Sequence, residues 1–217
     1  MCQAGGVPDE DVFALTATER RRAADMFAGL SEDQWAVQSL CAEWTVRDVA
    51  GHLIGPFCVS IPRFVLGSLV SGGPGRYSVR GSRRLGRRPT AEIIAVLREH
   101  AGDCFAPPGT GPLAPLTDLA VYTRDVARPL GLDTTASPAA WRGTLDFLTS
   151  PRARRGFVPR GRGDGLRFRA TDQDWAQGNG LEVSGPSEAL ALAIGGRAVA
   201  LDDLAGPGLP LLRSRLT

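Results

Sequence analysis

The sequence contains no lysine, and all 25 basic residues among its 217 residues are arginine. Without lysine, the protein cannot form a Schiff base with a carbonyl substrate, anchor pyridoxal phosphate or build a phosphate-binding loop around a lysine. The exclusive use of arginine, together with 27 glycines and 16 prolines, is typical of the GC-rich coding bias of actinobacteria. The missing residue therefore excludes several cofactor-dependent enzyme classes.

Long apolar runs are also missing. No run approaches the roughly 20 residues needed to cross a bilayer, and the first residues, MCQAGGVPDEDVF, lack the basic and apolar regions of a secretory signal. We therefore predict a cytoplasmic protein without a membrane partner.

The four cysteines, Cys2, Cys41, Cys58 and Cys104, form no CxxC pair, which excludes the usual zinc-finger and thioredoxin motifs. In a reducing cytosol we expect free thiols. Cys58 and Cys104 are interpreted as small core residues, and Cys41 as a packing residue or, alternatively, as a reactive thiol.

The net charge of +2 gives no global field that would attract nucleic acid. Two local stretches are basic, RYSVRGSRRLGRR (76–88) and PRARRGFVPRGRGDGLRFR (151–169), but neither has the aromatic spacing of a protein that binds single strands. We interpret both as solvated loops and predict no nucleic-acid partner. The first lies in a long Gly- and Arg-rich connection (72–89), which is typical of a lid or a binding loop.

Apolar periodicity predicts a mainly helical part followed by a smaller mixed part. Helices are expected at about 9–30, at 46–54 with an apolar continuation kinked at Pro62, at 90–104, at 113–130 and at 137–150. GLRFRATD (165–172) and LEVSG (181–185) predict strands, and GPSEALALAIGGR (185–197) predicts a short helix that ends at Gly195. We therefore predict a helical domain at 1–150 and a small α/β domain at 151–217.

One helix face combines acidic and aromatic residues. TDLAVYTRDVARPLG (117–131) places Asp118, Tyr122 and Asp125 at i, i+4 and i+7, which share a face. Buried carboxylates need a partner, and His52 is a candidate because the helix that begins after Thr45 carries it on its inward face. A histidine and a carboxylate on neighbouring helices are typical of a metal site in a helix bundle.

The residues alone leave three interpretations open. His52 and Asp118 could bind a metal, although the third donor would be Tyr122, and a neutral tyrosine is a poor zinc ligand. Tyr122 and Asp118 could instead act as proton donor and acceptor, with His52 tuning them. The three side chains could also form a buried polar network that only stabilises the bundle. His100, the second histidine, is interpreted as a surface or helix-capping residue.

Three segments carry a resemblance to a known family: WTVRDVAGHL (44–53), DLAVYTRDVARPLG (118–131) and GLRFRATDQDWAQGNGLEVSGPSEALALAIGGRAVALDDLAGPG (165–208). In these motifs and their order, the chain resembles the mycothiol-dependent maleylpyruvate isomerase family over about residues 15–216. The resemblance implies a mainly α fold with a small α+β part, namely a DinB-like four-helix bundle followed by a small α/β C-terminal domain.

The resemblance also implies a divalent metal site, usually for zinc. Its ligands fall on His52, on Asp118 and on a histidine at the position where this chain has Tyr122. In the family, the metal lowers the pKa of the mycothiol thiol, and the thiolate adds to an electrophile. The chain thus departs from the family pattern at one ligand. The loss of one imidazole ligand should weaken metal binding by orders of magnitude.

The resulting prediction is an enzyme of the mycothiol-dependent isomerase and thiol-transferase family, with His52, Asp118 and Tyr122 as catalytic residues and a degenerate zinc site. It would act on a small electrophilic metabolite, as a monomer or a homodimer. One alternative is a metal-independent isomerase or cyclase of a specialised biosynthetic pathway that uses the same residues as acid–base groups. The other is a non-catalytic binding protein with segment 72–89 as its contact surface. We expect the pocket near His52, between the two domains, with an arginine that binds a carboxylate of the substrate.

Overall fold

The computed structural model of the chain describes residues 9–216, so Cys2 lies outside the described residues. Within this range, the first eight helices in chain order are α1 (Asp9–Ala28), α2 (Glu32–Trp35), α3 (Val46–Leu53), α4 (Gly55–Cys58), α5 (Ile61–Val70), α6 (Pro74–Gly86), α7 (Thr90–Glu99) and α8 (Leu113–Ala127). The remaining elements are α9 (Pro138–Leu148), β1 (Leu166–Ala170), β2 (Ala176–Gly178), β3 (Leu181–Gly185), α10 (Ser187–Ile194) and α11 (Leu209–Arg213). Short 3-10 turns occupy Pro151–Arg155 and Ala198–Asp203.

Capping residues fix the start of two helices as predicted. The Thr45 hydroxyl accepts from the Asp48 amide, while the Asp48 carboxylate accepts from the Thr45 amide at 3.0 Å, which forms a capping box at the start of α3. The Ser137 hydroxyl accepts from the Ala140 amide at 3.3 Å, at the start of α9. Pro62 lies in the first turn of the separate helix α5, where proline is tolerated, and not at a kink.

The largest error of the sequence analysis concerns the connection predicted at 72–89, most of which is helix α6. Pro74 starts this helix, and arginine is a good helix former. Its inward face consists largely of small residues, so its helical period appears in the arginines of the opposite face and not in apolar residues. A side chain at Gly51 or Gly86 would overlap the backbone of the facing helix, so these two glycines allow α3 and α6 to pack closely.

Three smaller predictions also need correction. Helix α7 ends at Glu99, about five residues earlier than predicted. Strand β2 was not predicted, because its residues are all exposed and show no alternation. Cys104 is exposed and is not a core residue, whereas Cys58 is partly buried against the helical core. The described cysteines Cys41, Cys58 and Cys104 are free, as predicted.

The three strands form one sheet in the order β2-β1-β3, with β1 antiparallel to β2 and parallel to β3. Side chains alternate along β1: Leu166 and Phe168 are buried, whereas Arg167 and Arg169 are exposed. Helix α10 follows β3 as predicted and is capped by Gly195.

Helix α8 lies at the centre of the molecule because its two sides belong to different hydrophobic clusters. Leu119 and Val126 pack with α1, α3 and α7, while Leu116 and Val121 pack with α9, the sheet and α10. The division into domains at residue 150 stays a prediction. Among the described residues, no helix combines the length and apolar character that crossing a membrane requires.

Candidate active site

The candidate site begins with three aromatic rings from three segments. The ring centroids of Trp44 and His52 are 4.7 Å apart, those of His52 and Tyr122 are 4.7 Å apart, and those of Trp44 and Tyr122 are 5.4 Å apart. Helix α3 positions His52, and helix α8 positions Tyr122. The structure thus brings these two predicted site residues together and adds Trp44, which was not a predicted site residue.

His52 has polar neighbours on α6. Its Nδ1 atom lies 3.3 Å from the Ser78 hydroxyl and 3.5 Å from the Ser82 hydroxyl. Burial, followed by the positive charge of Arg197, lowers the pKa of His52 to about 4. The imidazole is therefore neutral at physiological pH. Neither serine was a predicted site residue, because their segment was predicted to be a loop.

Asp125, the last residue of the predicted face, is an ion-pair residue. Its carboxylate is fully buried and accepts from Nε of Arg197 at 3.0 Å and from Nη2 of the same guanidinium. The partner of this buried carboxylate is therefore Arg197 and not His52. Since Arg197 comes from the segment after α10, 72 residues away in sequence, no local pattern could have shown this pair.

The guanidinium of Arg197 also lies over the ring of Tyr122, 5.4 Å from its centroid. Its Nη1 atom donates to the Gly195 carbonyl at 2.7 Å. Burial alone would lower the pKa of Arg197, but Asp125 raises it above its ordinary value, so the guanidinium stays charged. Because its Nε, Nη1 and Nη2 atoms already have partners, Arg197 acts on the site mainly through its charge, and the predicted carboxylate-binding arginine is not assigned to it.

Asp118 lies one turn before Tyr122 and differs from Asp125 in having no hydrogen bond or ion pair to any described residue. Burial raises the pKa of Asp118 to about 7, although the charge of Arg197 opposes the shift. At neutral pH this carboxyl group is therefore divided between its acid and carboxylate forms. A group with such a pKa can both accept and donate a proton during catalysis.

Tyr122 remains a neutral phenol. Burial, followed by the charge of Asp118, raises the pKa of Tyr122 well above its ordinary value. Its hydroxyl group can therefore donate a hydrogen bond but does not supply a phenolate oxygen.

The donor set does not fit the metal site that the resemblance implies. Among the described residues, no group of three or more His, Cys, Asp and Glu side chains is close enough to hold a metal ion. His52 and Asp118 have only the neutral phenol of Tyr122 as a third donor, and a neutral phenol is a poor ligand. The charge of Arg197 acts on all three groups and opposes a divalent cation.

Two further groups border the rings. The indole N–H of Trp44 is buried and has no hydrogen-bond acceptor among the described residues. An unsatisfied buried donor costs about 1–3 kcal/mol, which an oxygen atom of a ligand could offset. Cys41 is partly buried against the helical core, and burial raises the pKa of its thiol, which favours a packing role.

The site is a packed cluster with limited access. His52, Asp118 and Tyr122 are each partly exposed. Two cavities among the described residues lie elsewhere. One, of about 510 Å³, lies between α8, α9 and the C-terminal part, beside Trp141 and Glu188. The other lies beside β1.

The comparisons with known proteins identify a similar family model and similar solved structures. The family model of the mycothiol maleylpyruvate isomerase N-terminal domain matches residues 16–60, which include His52. No curated protein matches the chain in sequence.

Two solved structures share the fold. The crystal structure of the mycothiol-dependent maleylpyruvate isomerase superposes with a TM-score of 0.57 at 14% identity, covering 95% of this chain and 96% of the other. A mutant of that isomerase, with a histidine replaced by alanine, gives a TM-score of 0.56 at 13% identity with the same coverage. The predicted fold, mainly α with a small α+β part in a DinB-like arrangement, is thereby confirmed. So is the resemblance of this chain to the mycothiol-dependent maleylpyruvate isomerase family.

Proposed function

We propose that the protein is an isomerase-type enzyme that acts on a small electrophilic metabolite by metal-independent acid–base chemistry at Asp118, Tyr122 and His52. The observation that carries the proposal is the environment of Asp118, a carboxyl group with no hydrogen-bond or ion-pair partner in the described part of the chain and with a pKa raised to about 7. The neighbouring Tyr122 stays protonated, and His52 stays neutral. Neighbouring titratable groups whose pKa values depart strongly from their ordinary values are typical of acid–base sites.

Asp118 is the general base of this scheme. Its carboxylate takes a proton from the carbon next to a substrate carbonyl, and the electron pair moves onto the carbonyl oxygen. The Tyr122 hydroxyl donates a hydrogen bond to that oxygen, and the charge of Arg197 favours the developing negative charge. Asp118 then returns the proton at another carbon or on another face, which isomerises the substrate.

Thiol-dependent chemistry is the second candidate, and the mycothiol-dependent isomerase of the same fold, solved in its unchanged form and as a mutant, favours it. A thiol such as mycothiol supplies a nucleophilic sulfur when it is bound. In this chain, Asp118 is the group suited to hold the thiol proton, because its pKa of about 7 lies near the roughly 8.5 of a free thiol. In both candidates Asp118 replaces the metal as the activating group.

The test is the turnover of maleylpyruvate, with and without mycothiol, before and after treatment with a metal chelator. We expect activity to survive chelation. We also expect kcat/KM of the Asp118→Asn variant to be lower by a factor of roughly 10²–10⁴. Zinc-dependent recovery of activity after chelation would overturn the metal-independent scheme. Binding of maleylpyruvate without any turnover would favour a binding protein. A cytoplasmic location and a monomeric or homodimeric state belong to the same proposal.

A further inference from the structure

We propose that α5 and α6 form a docking element that holds the protein on the surface of an anionic lipid bilayer. We call residues 61–86 the α5–α6 hairpin. The proposal is independent of the proposed catalytic chemistry, because it depends on a surface on the other side of α6 from His52.

Helix α5 is inverted relative to an ordinary surface helix, because it packs its small residues against the protein and exposes its apolar residues. Its small residues Gly67 and Ser68 face the protein, whereas Leu66, Leu69 and Val70 are 65%, 76% and 80% exposed. The exposed apolar side chains of this helix are Ile61, Phe64, Val65, Leu66, Leu69 and Val70. Such a continuous apolar surface on a single helix marks an interaction site.

Contacts with α6 fix this inverted orientation. Gly67 lies directly on the ring of Tyr77, where any side chain would overlap the ring. Phe64 packs edge-on against the same ring, with centroids 5.4 Å apart. The Ser68 hydroxyl donates to the Phe64 carbonyl at 2.7 Å, within the helix. The apolar side chains of α5 are therefore held outward by the packing of its small face.

Helix α6 adds a positive stripe to the hairpin. Arg76, Arg80 and Arg84 are spaced at i, i+4 and i+8, so they share one face; Arg87, which caps the helix, continues that face, and all four are exposed. Arg83 lies on the same face and pairs with Glu43. Arg76, Arg80 and Arg84 make no ion pair with any described residue.

The surrounding sequence does not neutralise this charge. No acidic residue occurs between Asp48 and Glu92, while this segment contains seven arginines. The net charge of the whole chain is only +2, so positive charge is concentrated on the hairpin. Because α5 is only 10 residues long, it is too short to cross a bilayer and would lie at the interface.

The positive charge of the hairpin favours a bilayer over a second copy of the chain as the binding partner. A symmetric dimer through α5 would bring two arginine-rich hairpins together, and like charges across an interface are unfavourable. An anionic bilayer instead accepts the apolar side chains at its acyl boundary and pairs its headgroups with the arginines. Our sequence-based expectation of no membrane partner considered only spanning segments and did not address this mode of binding.

Docking would place the candidate active site close to the lipid surface. The face of α6 opposite the arginine stripe carries Ser78 and Ser82, which contact His52. In the bound protein, one side of α6 would thus face the bilayer and the other side would face the candidate active site.

The test is co-sedimentation of the full-length protein with vesicles of phosphatidylcholine alone or mixed with phosphatidylglycerol, at low and high salt. We expect binding only to the anionic vesicles and weaker binding at high salt. Removing charge in the variant R76Q/R80Q/R84Q should reduce the partition coefficient by roughly fivefold per arginine. The variant L66S/L69S/V70S should reduce binding at least as much, since it removes the inserting side chains.

Matched variants on other exposed surfaces serve as controls. The charge control is R154Q/R160Q/R167Q, and the apolar control is L181S/V199S; both should bind like the unchanged protein. Circular dichroism and thermal unfolding verify that all variants fold. Equal binding to neutral vesicles, or no loss in either hairpin variant, would overturn the proposal. So would a dimer in light scattering that L66S/L69S/V70S converts to monomer, or binding to short duplex RNA in place of vesicles.

Discussion

Two carboxyl groups on the same face of α8, seven residues apart, have opposite environments. Asp125 is fully buried, but it accepts hydrogen bonds from Nε and Nη2 of Arg197, so its charge is matched. Asp118 has no partner among the described residues, and burial raises its pKa to about 7. The comparison teaches that a shared helix face does not imply a shared role: Asp125 stabilises the fold, whereas Asp118 is free to take part in chemistry.

The largest expected effect comes from breaking the ion pair. Asp125→Ala leaves the Arg197 guanidinium buried without a counter-ion and should lower the free energy of unfolding by about 3–5 kcal/mol. Chemical denaturation monitored by circular dichroism measures this change. Asp118→Ala is the matched control and should not destabilise the protein at neutral pH. Equal destabilisation by both variants would remove the distinction between the two carboxyl groups.

The Asp118→Asn substitution, in contrast to Asp125→Ala, should lower activity and leave the fold intact. It keeps the shape of the side chain but removes the proposed base, so kcat/KM should fall by roughly 10²–10⁴ while the fold persists. Steady-state kinetics on maleylpyruvate, with mycothiol present if turnover needs it, measures the loss. A variant that retains nearly full activity would exclude Asp118 from catalysis.

Tyr122 provides a finer test of the same site. Tyr122→Phe removes the proposed hydrogen-bond donor to the substrate oxygen and should lower kcat by roughly 10²–10³, as for other oxyanion-binding donors. Its ring contacts with His52 and Trp44 are retained by phenylalanine. A loss confined to KM would indicate that the hydroxyl only binds substrate.

The pH dependence of the reaction should follow Asp118. Because the carboxylate is the active form of a base, kcat/KM should rise with pH by roughly tenfold per unit below about 7 and then level off. His52 does not contribute in this range, since its pKa is lowered to about 4. Activity that is flat from about pH 5 to 8 would contradict the assignment of Asp118 as the base.

Cys41 should show the smallest effect. The Cys41→Ser variant should change kcat/KM by less than about threefold if the thiol only packs against the helical core, since that corresponds to under about 0.7 kcal/mol of transition-state stabilisation. A loss comparable to that of Asp118→Asn would instead make Cys41 the nucleophile.

Local signals in the sequence predicted part of this site. The Thr45 cap and the helical period placed His52 on the inward face of α3, and the i, i+4 spacing placed Asp118 and Tyr122 together on α8. These features depend on residues a few positions apart, so a single sequence shows them.

The rest of the site depends on contacts between distant segments. Arg197 reaches Asp125 from the C-terminal part, and no periodicity relates the two. Ser78 and Ser82 were missed because α6 packs through small residues, so the helical period lies in the spacing of its exposed arginines and not in apolar residues. The pairing of Asp125 was therefore assigned to the wrong partner, although the need for a partner was correctly predicted.

The free energy of unfolding as a function of pH, for the unchanged protein and for Asp118→Asn, tests the central claim most directly. A carboxyl group whose pKa rises from 3.8 to about 7 on folding destabilises the native state as pH rises from about 4 to about 7, because the unfolded chain ionises first. The variant should therefore match the unchanged protein near about pH 4 and become more stable by about 2–4 kcal/mol above about pH 7. His52 contributes equally to both curves and cancels. Parallel curves over this range would show that Asp118 titrates normally, and the acid–base account would then fail.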